Sequence, residues 1–266
     1  MSKDLTSTPG VPDEPKALGL LSGLSVVVTA AAGTGIGFAT AKRACEEGAV
    51  VVLSDHHERR LNEAADRLSE LFGVRPVVAV CDVTKNEDVV ALVDTAVKAH
   101  GGIDVWVNNA GLGGEVSLVD MTDEQWSTVL DVTLNGTFRC TRAVLRQMIA
   151  QGKGVIVNNA SVMGWRAQVG QAHYAAAKAG VMALTRCSAL EAAPHGVRVN
   201  AVAPSLAWHP FLAKATTEET LETLIGQEAF GRAAEPWEVA NVIVFLASAY
   251  SSYMTGEVVS VSSQRA

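Results

Sequence analysis

Residues 25–55 read SVVVTAAAGTGIGFATAKRACEEGAVVVLSD, and the order of residue types in this stretch decides the fold. A β-branched run, SVVVTA, is followed by a glycine-rich turn over Thr29–Gly37, a segment of helical period, and a second run, AVVVLSD, that ends on an acid. Valine-rich runs of this length suit strands covered on both faces, and a strand, a crossover helix and a parallel strand form a right-handed unit. In the segment between them Ala39, Ala41, Ala44 and Cys45 fall on one side, small enough to let a helix lie close to a sheet.

Outward from this unit the alternation continues. VRPVVAVCD, IDVWVNNAG, GVIVNNAS, VRVNAVAP and EVVSVS read as strands, and helical segments run between them, among them one from about Thr122 to Ile149 and one over Gln171–Ala193. The expected fold is α/β, a single Rossmann-type domain with a doubly wound parallel sheet of about seven strands and helices on both faces. The domain is expected over 21–266, after a flexible tail at 1–20, and ligands are expected outside the carboxyl ends of the strands.

Composition excludes several classes. The chain has 266 residues, 48% hydrophobic and 18% charged, which is ample for a buried core and unlike a disordered chain. A net charge of -7 argues against nucleic acid as a partner, since that affinity needs clustered Lys and Arg. Cys45, Cys81, Cys140 and Cys187 lie far apart with no metal-ligand spacing, so neither a metal site nor a disulfide framework is expected. The start has no apolar run behind a basic end, and no apolar run reaches membrane-spanning length, so a cytoplasmic protein without membrane association is expected.

The glycine turn leaves a strand and opens a helix, the setting in which backbone amides cradle a pyrophosphate. Thr29, Gly33, Thr34, Gly35, Ile36 and Gly37 are the candidate contacts. Such a turn alone is weak evidence; Asp55 strengthens it. Twenty residues beyond Gly35, at a strand tip, a carboxylate accepts hydrogen bonds from two ribose hydroxyls and repels a 2'-phosphate, so NAD is the expected cofactor. His56, His57, Arg59 and Arg60 follow closely, and a cation turned to the ribose keeps NADP open.

YAAAK sets Tyr174 and Lys178 four apart on one helical face. A phenol is a poor base near neutrality, and a neighbouring ammonium is expected to lower its pKa. Ser161, just past a strand, is placed to hydrogen-bond a substrate oxygen while Tyr174 exchanges its proton. Read singly, these are a packed aromatic, a solvated amine and a helix cap; together they point to hydride transfer at a carbinol carbon.

With these motifs the chain resembles the short-chain dehydrogenase/reductase family from Leu21 to its end. The resemblance rests on the glycine turn, CDVT with Asp82, NNAG over Asn108–Gly111, the Ser161 to Tyr174 spacing, YAAAK, VNAVAP and the FLAS…TGE close. It implies that Asp82 and Val83 flank an adenine, that Asn109, Ala110 and Gly111 line the cofactor side, that Lys178 also grips the nicotinamide ribose, and that the chain forms a homotetramer. Four departures stand out. Ala30 replaces a glycine in a turn one residue longer than usual. Thr133, in DVTLN, stands where the family has the Asn whose kinked helix and carbonyl hold a relay water, with Asn135 nearby. Pro204 is followed by Ser205 with His209 beyond, leaving backbone contacts from Pro204 and Ala207 to the nicotinamide. VSVSSQ stands where a glycine pair usually follows the last strand.

Met163, Trp165, Arg166, Leu112, Trp208 and Phe211 fall on loops near the expected mouth and suit a bulky hydrophobic alcohol or ketone. His173 reads as a surface or packing residue. Residues 206–230 resemble the family's substrate lid. Whole-chain similarity extends to actinobacterial members that act on steroid ring fragments carried as acids or CoA thioesters. A 3-oxoacyl-thioester reductase using NADPH is the second reading, and a nucleotide-binding sensor without turnover is a third from another class. The enoyl-reductase subgroup spaces its Tyr and Lys more widely than YAAAK.

Overall fold

The computed structural model describes residues 10–208 and 218–263. Seven strands form one sheet: β1 (Ser25–Val28), β2 (Val50–Asp55), β3 (Val77–Val80), β4 (Val105–Asn108), β5 (Gly154–Asn159), β6 (Val197–Pro204) and β7 (Val258–Val261). Their order is β3-β2-β1-β4-β5-β6-β7 and each pairing is parallel, as the alternation of runs and helical segments requires. Chain order reverses between β1 and β4, so the crevice at their carboxyl ends is where a doubly wound sheet receives a ligand.

Alternate residues of β1 show why the strands read as continuous apolar runs. Val26 and Val28 enter one core, with Phe38, Ala41 and Ala44 of α1 (Ile36–Glu46), Leu61 and Leu68 of α2 (Glu58–Phe72), and Val239 and Ile243 of α8 (Pro236–Ala247). Val27 enters the other, with Leu92 of α3 (Asn86–His100), Trp106, and Val144 and Met148 of α5 (Gly136–Gln151). Trp106 is fully buried, and truncating such a side chain to alanine typically costs about 3–5 kcal/mol.

The long helix expected near Thr122–Ile149 is a composite of α4 (Asp123–Leu130), a π-helical turn over Asp131–Asn135, and α5. Thr122 and Gln125 close a reciprocal capping box at its start. The π-turn inserts extra backbone where Thr133 lies, and such turns gather at functional positions. Next come α6 (Ala172–Ala192), which carries YAAAK, and α7 (Glu218–Gln227).

Residues 14–20 of the segment expected as a tail lie against α1. Glu47, fully buried, accepts from the Leu18 and Leu20 amides at 2.9 and 2.8 Å and pairs with Arg43 at 2.7 Å. The Arg43 guanidinium also donates to the Pro15 carbonyl at 2.6 Å. Among the described residues no helix is long and apolar enough to cross a membrane. His209 and Phe211 lie outside the described residues.

Candidate active site

The glycine turn is held from both sides. Thr29 is buried at the end of β1; its hydroxyl donates to the Val107 carbonyl at 3.2 Å and accepts from the Asn109 and Ala110 amides at 2.9 and 3.2 Å. Thr29 therefore joins β1 to the loop after β4 through its side chain. Asn109 completes the bracket by donating to the Thr29 and Ala30 carbonyls at 3.2 and 3.1 Å. Ala30 sits in the left-handed region, φ +50°, where a glycine is more at ease, which explains the residue expected there. A Cβ on Gly37 would overlap the Ala30 carbonyl and the Asn109 amide, so only glycine lets α1 start so close to the turn.

The turn itself stands open. A Cβ built on Gly33 or Gly35 meets nothing within 4 Å, and Gly35, the N-cap of α1, makes no side-chain cap bond. Thr34 is exposed at the lip and Ile36 half-buried behind it. Arg67 steadies the turn, its guanidinium over the Phe38 ring at 4.1 Å and donating to the Gly33 carbonyl at 3.2 Å. Asp55 is buried at the tip of β2, where its carboxylate accepts from the Ala32 amide at 3.2 Å and the His57 amide at 3.0 Å. Burial raises its pKa above the usual carboxylate range, and the Ala32 amide, His56 and Arg60 partly offset this. A carboxylate has about four lone-pair sites, so two amide bonds leave room for hydroxyl donors. Asp82 binds its own turn through the Thr84 amide and hydroxyl at 3.0 and 2.7 Å, and Val83 is buried against Gly136. This open, amide-lined cradle with an acid at the second strand tip fits a dinucleotide.

On the far side of the switch point, Ser161, Tyr174 and Lys178 come together. Ser161 follows β5 in extended backbone; its hydroxyl accepts from the Met163 amide at 3.2 Å and lies near enough to the Tyr174 phenol to draw its pKa down. Lys178, one helical turn beyond Tyr174, sits 5.5 Å from that ring's centroid and donates to the Asn159 carbonyl at 2.6 Å. Asn159 in turn donates to Asn109 at 2.9 Å, so the lysine is tied through two asparagines to the glycine turn.

The electrostatics differ from the sequence expectation. The Tyr174 pKa is raised, chiefly by burial, with the Ser161 hydroxyl pulling it back. Burial pushes Lys178 down from 10.5 to about 8. The phenol is thus raised rather than lowered as the spacing suggested, because loss of water on burial is the largest influence on both groups. A neutral phenol held by Ser161 is an acid, set to give a proton to an oxygen beside it.

Thr133 is buried where the relay Asn was expected. Its hydroxyl donates to the Leu112 carbonyl at 3.1 Å and accepts from the Leu112 amide at 2.9 Å, and its carbonyl accepts from Thr137 at 2.7 Å. Asn135 is exposed and donates to Asp131 at 3.0 Å, so it takes no part in the site. Gly111 packs beside Lys178 and Thr133, where a Cβ would come within 3.4 Å of the ammonium. Pro204 is buried at the end of β6, and Ala207 bridges to Ala234 through its neighbours' groups, leaving the Ala207 amide on the opposite edge. Ser263, in the VSVSSQ stretch, donates to the buried Glu228 at 2.8 Å, which also accepts from the Leu206 amide at 3.3 Å. Met163 and Trp208 are half-buried, and Trp165 is 51% exposed, at the rim of the site.

Sequence reasoning missed Asn159 and left His173 between the surface and the packed interior. The doubled Asn at the end of GVIVNN was a signal for the first. His173, expected at the surface or in packing, is 2% exposed and accepts the Tyr174 amide on Nδ1 at 2.9 Å.

The family model described as Enoyl-(Acyl carrier protein) reductase matches residues 30–263. The chain is 63% identical over 254 residues to the (5R,7aS)-5-hydroxy-7a-methyl-1-oxo-2,3,5,6,7,7a-hexahydro-1H-indene-carboxyl-CoA reductase of Mycobacterium tuberculosis, covering 95% of this chain and 97% of that protein. It is 41% identical to a 3-oxoacyl-(acyl-carrier-protein) reductase of Thermotoga maritima, over 91% of this chain and 97% of that one. A crystal structure of a short chain dehydrogenase from Mycobacterium smegmatis superposes with a TM-score of 0.85 at 60% identity, covering 96% of this chain and 98% of the other. Likeness of that degree along nearly the whole of each chain is common descent as well as shared architecture, and the chain belongs to the short-chain dehydrogenase/reductase family of NAD(P)-dependent oxidoreductases.

Proposed function

We propose that the protein reduces a ketone on a fused, hydrophobic ring substrate bearing a carboxyl-CoA thioester, of the class named for its Mycobacterium tuberculosis relative, with NADH as hydride donor. The observation that carries this reading is the gathering of the Tyr174 phenol, the Ser161 hydroxyl and the Lys178 ammonium at the edge of the switch-point crevice. When bound, the dinucleotide supplies the hydride. Ser161 and Tyr174 polarise the substrate oxygen, and Tyr174 gives it a proton as the alkoxide develops. A phenol pKa held above its ordinary value keeps Tyr174 protonated, the form that donates when a ketone is reduced. Lys178, fixed by the Asn159 carbonyl, faces the phenol and offsets the negative charge left on it.

Asp55 supports NAD over NADP, and this preference sets the reading apart from an NADPH-dependent 3-oxoacyl reductase. Met163, Trp165, Arg166 and Trp208 form the substrate side. Exposed Trp126 on α4 and Phe138 and Ile149 on α5 offer an apolar face for the homotetramer, in a cytoplasmic enzyme. The test is absorbance of reduced cofactor with a bicyclic ketone thioester: Tyr174→Phe abolishes turnover and leaves nucleotide affinity within about twofold. Equal rates in the two proteins would refute the assignment.

A further inference from the structure

Next to the catalytic pair, under the loop 112–116, lies a cavity of about 370 Å3 that the reaction described above does not use. Its floor is His173 and Val129, its roof Leu112 to Val116, and Glu115 and Glu124 stand exposed on its rim. The loop lies close over α6: a Cβ on Gly113 would sit 3.6 Å from the Tyr174 ring, and one on Gly114 3.4 Å from His173 Nε2.

His173 has two distinct edges. Its Nδ1 accepts the Tyr174 amide, one of the first-turn donors of α6 that has no partner within the helix, and the N-cap Gln171 makes no side-chain cap bond. A ring nitrogen that accepts is bare, so the ring proton sits on Nε2. That N–H points from the floor up toward Gly114 in the roof.

We propose that His173 is a specificity-determining residue whose Nε2–H donates a hydrogen bond to a neutral acceptor oxygen, a ring ketone remote from the reacting carbon, seated in this cavity. The two rim carboxylates repel an anion, so a carboxylate or the phosphates of a coenzyme arm are not the occupants. The volume lies at the small end of the roughly 300–1,000 Å3 usual for ligand pockets, enough for a ring system and too small for a coenzyme arm as well. The keto-bearing ring end therefore enters under the loop 112–116, and the thioester arm leaves by the side of Met163 and Trp165. This orientation rests on the ring-ketone substrate class proposed above.

Two substitutions separate the edges of His173. In His173→Asn the Oδ1 atom reaches the place of Nδ1 and keeps the Tyr174 amide satisfied, while the outer donor is gone. His173→Gln restores an outer donor and loses the inner acceptor. With a bicyclic thioester bearing a second ring ketone, His173→Asn raises KM about tenfold and holds kcat within about twofold, the loss expected for one hydrogen bond. His173→Gln lowers kcat through the freed Tyr174 backbone. With the analogue lacking the second ketone, His173→Asn and the parent protein have the same KM.

Binding is read independently of turnover in the NAD+-saturated protein, where a ketone cannot be reduced. Titration with 1-indanone shifts the His173 Nε2–H resonance, indane does not, and Gly114→Ala, whose methyl covers Nε2, suppresses the shift. A Nε2–H resonance unmoved by 1-indanone, or a His173→Asn protein with an unchanged KM for the diketone, overturns the proposal. Failure of the parent protein to turn over any bicyclic ketone while the 1-indanone shift persists refutes the substrate reading and leaves the cavity assignment standing.

Discussion

Replacing Lys178 by methionine makes the dinucleotide-free protein more stable while it destroys activity. The ammonium is 3% exposed, and burial holds its pKa at about 8 against an ordinary 10.5. At about 1.4 kcal/mol per pH unit, that gap places a penalty of about 3 kcal/mol on the charged lysine at pH 7. Methionine fills a similar space without charge, but it leaves the Asn159 carbonyl without its charged donor at 2.6 Å, which takes back about 2 kcal/mol. The net gain is about 1 kcal/mol, or roughly 2–4 °C in melting temperature for a chain of this size. Between pH 8 and 10.5 the unfolded chain binds more protons at this lysine than the folded one, so stability of the parent protein rises with pH in that window. The lead of Lys178→Met is thus full below pH 8 and shrinks above it. Thermal unfolding of both proteins from pH 6 to 9.5 decides the matter. A variant no more stable than its parent at pH 7, or a lead that stays constant up to pH 9.5, would refute the reasoning.

Three further outcomes follow from named contacts. Asp55→Ala removes the carboxylate that, in the proposed function, would repel a 2'-phosphate, so the ratio of kcat/KM for NADH to that for NADPH falls at least about tenfold; an unchanged ratio would sink the ribose role. Glu47→Ala leaves the Leu18 and Leu20 amides without their acceptor and Arg43 with Glu46 as its remaining carboxylate partner, destabilising the protein by about 2–3 kcal/mol in urea unfolding and opening residues 10–20 to protease. A loss below about 1 kcal/mol would show that this strap is not held by Glu47. Ala30→Gly relieves the left-handed backbone at φ +50° and raises stability by about 1 kcal/mol, read as a melting temperature about 2–4 °C higher; a lower one would mean that the extra unfolded-state entropy of glycine dominates.

How far the sequence could be read depended on range. The strands, their parallel order of growth and the switch point were legible because burial on both faces leaves a continuous apolar run, and Val26, Val27 and Val28 show the two cores served in alternation. Tyr174, Lys178 and Ser161 were legible because four-residue spacing and a strand end are local facts. What stayed hidden depends on contacts between distant segments. Glu47 looks like any surface acid of a helix end until residues 18 and 20 are laid against it. The π-turn at Thr133 leaves no mark on a helical period, and the burial of His173 follows from the loop 112–116 closing over α6. The pKa direction of Tyr174 failed for a related reason, since spacing reveals the neighbouring charge but not how much water both groups lose.

The threonine at 133 shows how the fold accommodates a departure from the family pattern. An asparagine side chain presents both a donor and an acceptor; so does a hydroxyl, and the Thr133 Oγ1 uses both on the single residue Leu112. Valine has the same shape and could do neither. That double bond sets the height of the loop whose Gly111, Gly113 and Gly114 lie against Lys178, Tyr174 and His173 in turn. Glycine at these positions lets backbone approach where a side chain would push the loop outward. The Thr133 carbonyl accepts from the Thr137 hydroxyl, so the residue is held through its backbone as well as its side chain and the loop stays fixed. What is required at this position is therefore a buried side chain that both gives and accepts a hydrogen bond at the start of the kink. Threonine meets that requirement with fewer atoms than asparagine.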